Sequence, residues 1–115
     1  YQYMLTISPK ELSATLQKED IELIDVRSVG EYDEIHVEKA RNIPLHLLPL
    51  RMNEIDTKKK IIFICRSWWR SAQACQFAES FGIHGYNLVG GTNDFEKELP
   101  TQVIRGEKKK VFWIF

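Results

Sequence analysis

The chain has 115 residues, 43% hydrophobic and 28% charged, a mix that suits one ordinary globular domain and leaves little room for a second core. Sixteen Lys and Arg balance sixteen Asp and Glu, so no global field draws the chain to nucleic acid. Its longest apolar runs reach about five residues, against roughly 18 for a membrane-spanning helix, and its first residues lack the apolar core of a signal peptide. The missing initiating Met points to a piece of a longer chain with unseen flanks.

In chain order, residues 5–7 read as a short strand. Ser8-Pro9 with Glu11 reads as a helix cap, a proline at the first helical position and an acid three residues after the cap, so a helix is predicted over 9–17. The run IELIDV, residues 21–26, is apolar and β-branched enough for a buried strand ending at Asp25. A short polar helix is expected over 28–34 and a short strand over 40–43. Pro44 precedes a helical stretch, LHLLPLRMNEI, that Pro49 should interrupt. The lysines at 58–60 read as a solvated turn before Ile61–Ile64, the clearest buried strand in the chain. An amphipathic helix over 71–81 should bury Ala74, Phe77, Ala78 and Phe81, spaced i, i+3, i+4 and i+7, with Gly82 as its C-terminal stop. A strand over 86–89, a Gly90-Gly91 turn and a helix capped by Thr92 and running to 98 complete the pattern. Strands alternating with helices predict a parallel α/β sheet. Residues 101–115 form a distinct tail, basic in RGEKKK and aromatic in VFWIF. It reads as an added strand or docked segment, as the truncated start of a membrane segment behind a basic flank, or as a partner or crystal-contact segment.

Two cysteines, Cys65 and Cys75, lie ten apart without CxxC spacing, and His36, His46 and His84 are scattered. Neither a disulfide framework nor a metal site is signalled, and no cofactor is expected. The informative stretch is CRSWWRSA. It places Cys65 at the end of a central strand and Ser71 at the start of the next helix, the edge at which open α/β sheets bind ligands. Backbone N–H groups in such a turn converge on one point, and the helix adds its positive end. Arg66 and Arg70 add fixed charge. These surroundings favour the thiolate, the nucleophilic form, and suit attack on an anionic substrate. Cys75, inside the helix beside its apolar face, reads as a packed thiol.

The pieces ISPKEL, LIDVRSVGEY, ARNIPL, IIFICRSWWRSAQA and NLVGGTNDFEKELP stand in one order from residue 7 to about 100. In that order they resemble a single-domain rhodanese-like (sulfurtransferase) domain. The resemblance implies a three-layer α/β fold, a parallel five-stranded sheet with helices on both faces, over residues 1–100. It implies a cysteine, Cys65, that takes sulfane sulfur from a donor such as thiosulfate, holds it as a persulfide and passes it to a thiophilic acceptor. Carried over by position, Arg66, Ser67, Trp68, Trp69, Arg70 and Ser71 bind the substrate, with backbone N–H groups of 66–70 on the charged sulfur. Asp25, Arg27 and Arg41 line or brace the site, or tie strand ends as ion pairs. Four residues separate Cys65 from Arg70, the length of the sulfurtransferase loop; related phosphatases of this fold use one residue more. The expected partners are a small sulfur anion or a protein or thiol sulfur acceptor, not nucleic acid. A membrane would be reached only through the tail or native flanks. The expected setting is the cytoplasm, or the cytoplasmic domain of an anchored protein, as monomer or homodimer.

Two departures stand out. The family loop carries glycine at the third position after the cysteine, where this chain has Trp68 followed by Trp69. A cradle needing angles that a Cβ opposes would put about 1–3 kcal/mol of strain there. The family's small-residue turn GHIPGA reads here as IHVEKA, with Ile35, Glu38 and Lys39. The tryptophans form an apolar collar selecting a larger or protein-bound donor, or they distort the loop and leave a binding module that presents Trp68, Trp69 and Trp113, or they are an engineered change. The leading reading is sulfur transfer; the alternative is a catalytically weak or inactive interaction module.

Overall fold

The computed structural model describes residues 4–106. Strand β1 (Thr6–Ile7) leads into helix α1 (Pro9–Lys18), whose start is fixed locally. Ser8 Oγ accepts from the Glu11 amide at 3.1 Å, and the Ser8 amide donates to Glu11 Oε1 at 2.8 Å. Such reciprocal capping is worth about 1 kcal/mol. Strand β2 (Glu22–Asp25) is followed by α2 (Val29–Glu34), capped in the same way by Ser28 and Glu31. Then come β3 (Ile35–Val37), β4 (Arg41–Asn42), and a run of short helical turns containing α3 (Leu48–Arg51). Pro49 lies in the first turn of α3, where its missing N–H costs nothing, so it opens that turn where an interruption was predicted.

Strand β5 (Ile61–Ile64) precedes α4 (Trp69–Glu79), and β6 (Gly85–Leu88) precedes α5 (Gly91–Glu98). The five main strands pair in parallel in the order β1-β6-β5-β2-β4, which puts β5 at the centre. Asp25 registers with Ile64, so the carboxyl ends of β2 and β5 finish side by side.

Alternation along β5 builds both cores. Ile61, Phe63 and Cys65 join one cluster with Leu48 of α3 and Ala74, Cys75 and Ala78 of α4. Ile62 and Ile64 join the other with Leu12 of α1, Val37 of β3 and Phe95 of α5. Because successive side chains of a strand point to opposite faces, a four-residue run with no polar member requires cover on both. The result is the three-layer α/β architecture that the alternating pattern and the resemblance predict.

Several local expectations are revised. Helix α4 begins at Trp69 and ends at Glu79, earlier than predicted, so Phe81 falls past its end and is 61% exposed, touching Phe77 at a ring distance of 5.0 Å. Thr92 does not cap α5: Gly90, left-handed at φ 76°, holds that position, and Thr92 is buried within the helix. Strand β3 was not predicted. It pairs antiparallel with β7 (Val103–Arg105), Ile35 opposite Arg105 and Val37 opposite Val103. Residues 101–106 therefore continue onto the domain, with Val103 packed against the second core. The VFWIF segment and Trp113 lie outside the described residues. Among the described residues no helix is long and apolar enough to cross a membrane, and no three His, Cys, Asp or Glu side chains are grouped to hold a metal ion.

Candidate active site

Cys65 directly follows β5, at the carboxyl end of the central strand, and only 1% of it is exposed. Its sulfur lies 3.1 Å from Ser71 Oγ. The same hydroxyl lies 3.0 Å from the Trp68 carbonyl oxygen and within hydrogen-bond reach of Asn87 Oδ1, on the neighbouring strand β6. One hydroxyl proton therefore faces two carbonyl-type acceptors and a sulfur. When it goes to an oxygen, Ser71 accepts from a Cys65 thiol; when Cys65 is a thiolate, Ser71 can turn and donate to it.

Two elements far away in sequence hold the loop from behind. The Thr92 amide donates to the Cys65 carbonyl at 2.9 Å, the Thr92 hydroxyl to the same oxygen at 3.2 Å, and the Asn93 amide to the Arg66 carbonyl at 3.1 Å. The first turn of α5 thus takes the carbonyls of residues 65 and 66. Among the described residues the backbone N–H groups of Arg66, Ser67 and Trp68 have no partner, which leaves them available to an anion. Gly91 permits this approach: it sits at φ 57°, and a Cβ there would stand 2.5 Å from the Cys65 carbonyl oxygen.

The loop makes its turn without a left-handed residue. Trp68 lies at φ −157°, and the only non-glycine residue with positive φ among those described is Lys39, at 71°. The strain expected at Trp68 is absent for that reason. It falls instead at Lys39, in the IHVEKA turn. Trp68 is half-buried, Ser67 is exposed, and Trp69 is 75% exposed.

Charge at the mouth is organised by a residue that the sequence did not single out. Glu31, in the first turn of α2, receives both terminal nitrogens of Arg70, at 2.6 and 3.0 Å, and lies 3.7 Å from Arg66. The Arg70 guanidinium, with help from Ser28, holds the Glu31 carboxyl down at about 2 against the opposing effect of burial, and Glu31 in turn raises Arg70. Deeper in, Arg27 and Asp25 form a buried pair at 2.8 Å, and Arg27 also donates to the Ile35 carbonyl at 2.6 Å. Asn42 Nδ2 donates to the carbonyls of both residues at 2.9 Å. This cluster braces the junction of β2, α2, β3 and β4. Arg41 turns elsewhere, to Glu22 at 3.3 Å and the Glu54 carbonyl at 2.7 Å, and makes none of the bonds around Cys65. Cys75 packs in the first core, where burial pushes its thiol up to about 12, so it stays protonated at neutral pH.

The arrangement sets a buried thiol beside a hydroxyl that can donate or accept, in a loop with three free amides and two guanidinium groups that meet Glu31. Comparison with known proteins agrees with it. The rhodanese-like domain family profile matches residues 8–98. A protein of Allochromatium vinosum named a sulfurtransferase is 37% identical over 87 residues, covering 74% of this chain and 81% of that one. The crystal structure of a reduced CoADR-RHD from Bacillus anthracis superposes with a TM-score of 0.83 at 26% identity, over 88% of this chain and only 18% of that longer one. A rhodanese-like domain protein from Staphylococcus aureus superposes at 0.76 with 26% identity, over 80% of this chain and 91% of its own. With the profile spanning residues 8–98, nearly the whole described fold, the chain belongs to the rhodanese-like domain family.

Proposed function

We propose that this domain is a sulfurtransferase that carries sulfane sulfur as a persulfide on Cys65. The observation that carries this reading is the position of Cys65, at the carboxyl end of the central strand beneath three unpartnered amides and beside a hydroxyl that can donate to a thiolate. The sulfurtransferase name of the Allochromatium relative supports it. In the first half-reaction the Cys65 thiolate attacks the sulfane sulfur of a donor such as thiosulfate. A bond forms between Sγ and that sulfur, the donor's S–S bond breaks, and sulfite leaves with the bonding pair. An acceptor thiolate then attacks the outer sulfur and releases Cys65. The amides of residues 66–68 stabilise the charged outer sulfur, Ser71 donates to the Cys65 thiolate before attack, and Arg66 and Arg70 draw the anion in. Asp25 and Arg27 support the site by holding β2 to α2, and Arg41 contributes only to strand-end stability. Both cysteines are free, which fits a reducing compartment such as the cytoplasm. Incubation with thiosulfate should add one sulfur mass to the intact chain and release sulfite, and Cys65→Ser should abolish both.

A second reading has its own observation. Cys65 is almost fully buried while Trp69 stands three-quarters exposed beside it, the balance expected of a non-catalytic module that presents an apolar side chain to a partner. That reading predicts no sulfur adduct from any donor and partner binding lost in Trp69→Ala.

A further inference from the structure

We propose, resting on the sulfurtransferase reading, that the mouth over Cys65 selects a singly charged sulfane-sulfur donor borne on an apolar organic group. Glu31 disfavours dianions, and Val29, Trp69 and Val89 receive the organic part.

The charge argument is a short count. Arg66 and Arg70 bring two positive charges to the rim, and Glu31 sits against both with one negative charge. The Asp25–Arg27 pair cancels internally. With the attacking Cys65 thiolate counted, no net positive charge remains to offset the donor, so a dianion such as thiosulfate is disfavoured more than a monoanion. Nor can Glu31 easily leave. Its Oε1 also accepts from the Ser28 amide and hydroxyl, each at 3.1 Å, so the carboxylate is fastened to the start of α2 as well as to Arg70. Held well below the usual carboxylate range by Arg70, it stays charged at neutral pH. A dianion must bind beside this carboxylate or compete with it for the end of the Arg70 fork.

The apolar side of the argument comes from topology. Val29 is 57% exposed, Trp69 75% and Val89 42%. They follow the carboxyl ends of β2, β5 and β6, which are adjacent strands in the sheet. Three exposed apolar residues therefore follow the adjacent strand ends beside Cys65, and Trp68, next to Trp69, is half-buried. A small oxyanion makes no use of such a rim, whereas the carbon skeleton of an organic persulfide or thiosulfonate does.

The chemistry is unchanged in kind. For an aryl thiosulfonate, the Cys65 thiolate bonds to the terminal sulfur, the sulfur–sulfur bond breaks, and the arylsulfinate leaves with the bonding pair. Two negative charges enter and two remain, on the persulfide and the sulfinate.

The test compares thiosulfate with benzenethiosulfonate, a dianion and an aromatic monoanion, by the second-order rate of persulfide formation on Cys65. Each rate is divided by that of the same donor with N-acetylcysteine. The wild type should favour benzenethiosulfonate at least tenfold on this scale. Glu31→Gln, which keeps the capping geometry, should raise the thiosulfate rate about tenfold and the benzenethiosulfonate rate much less, as removal of one charge at a partly exposed mouth requires. Trp69→Ala should lower the benzenethiosulfonate rate more than the thiosulfate rate. Equal responses of both donors to Glu31→Gln, or a wild-type preference for thiosulfate, would overturn the selectivity while leaving sulfur transfer intact. No adduct from either donor would overturn both.

Discussion

Gly91→Ala gives the sharpest test of how the loop after Cys65 is held, because its neighbour Gly90 supplies a control on the same turn. Both glycines have positive φ, 76° at Gly90 and 57° at Gly91, so alanine at either costs about 1–2 kcal/mol in backbone conformation. The surroundings separate them. A Cβ on Gly90 would meet the Asp94 side chain, 2.0 Å from Oδ2 and 2.6 Å from Cβ, so relief there falls on the first turn of α5. A Cβ on Gly91 would stand 2.5 Å from the Cys65 carbonyl oxygen and 2.6 Å from the Arg66 carbonyl carbon, and neither can move without moving the loop. Relief requires α5 to withdraw, which breaks the bonds from the Thr92 and Asn93 amides to those carbonyls, at about 0.5–1.5 kcal/mol each. Gly91→Ala should therefore cost about 2–4 kcal/mol. Equilibrium unfolding in guanidinium chloride measures the loss, and both variants should be destabilised, but only Gly91→Ala should disturb the loop. The rate of Cys65 alkylation by iodoacetamide, followed by mass, should change several-fold in Gly91→Ala and little in Gly90→Ala. An unchanged alkylation rate in Gly91→Ala, or an equal change in Gly90→Ala, would refute the claim that α5 sets the loop.

Lys39→Gly should stabilise the fold by about 0.5–1 kcal/mol, because it removes left-handed strain from a lysine at φ 71°; a lower denaturation midpoint would contradict this. Glu31 has a depressed folded-state value of about 2 against an ordinary 4.5, so the stability it contributes is complete above the higher value and is lost as pH falls through the lower one. The wild type should exceed Glu31→Gln by at most about 3 kcal/mol near neutrality, less after solvent screening, with the gap closing between those two values; thermal melts across that window measure it. Cys75, protonated and packed, should resist alkylation at pH 8 in the native chain and react once the chain is unfolded, which peptide mapping reads directly.

What the sequence shows and hides follows from how far each determinant reaches. Ser8 and Glu11 are three residues apart and cap one another, so the start of α1 is legible from the residues alone. The run Ile61–Ile64 is legible because a strand covered on both faces has no polar position to offer. Ser28 and Glu31 have the same spacing as the first box, yet the heavier duty of Glu31 lies 39 positions away at Arg70, beyond any local pattern. Strands β3 and β7 have three residues each and pair only with one another, too short to show a period before the fold brings them together. Asn87 sits in a strand that reads as ordinary alternation, and only the sheet order places its amide against Ser71. Thr92 looked like a cap because Ser and Thr often cap helices. Here a left-handed glycine two residues earlier takes that place and frees the threonine to bond the Cys65 carbonyl.

The tandem tryptophans sit where the chain can carry them because the loop is shaped by its carbonyls more than by a glycine. The Trp68 carbonyl accepts from the Ala72 amide and the Ser71 hydroxyl, both at 3.0 Å, and more distantly from Asn87 Nδ2 at 3.4 Å. The carbonyls of residues 65 and 66 are taken by α5. With the carbonyls of residues 65, 66 and 68 anchored, the turn is made at negative φ, and the position that needs glycine is Gly91, across the loop. Position 68 is then free to hold a large side chain, and Trp69 opens α4 with its indole in solvent. A loop built in this way leaves the amides of residues 66–68 without partners and the Trp69 indole exposed. On the sulfurtransferase reading proposed above, the tryptophans then bear on what reaches Cys65, and those amides stay available to charge on its sulfur.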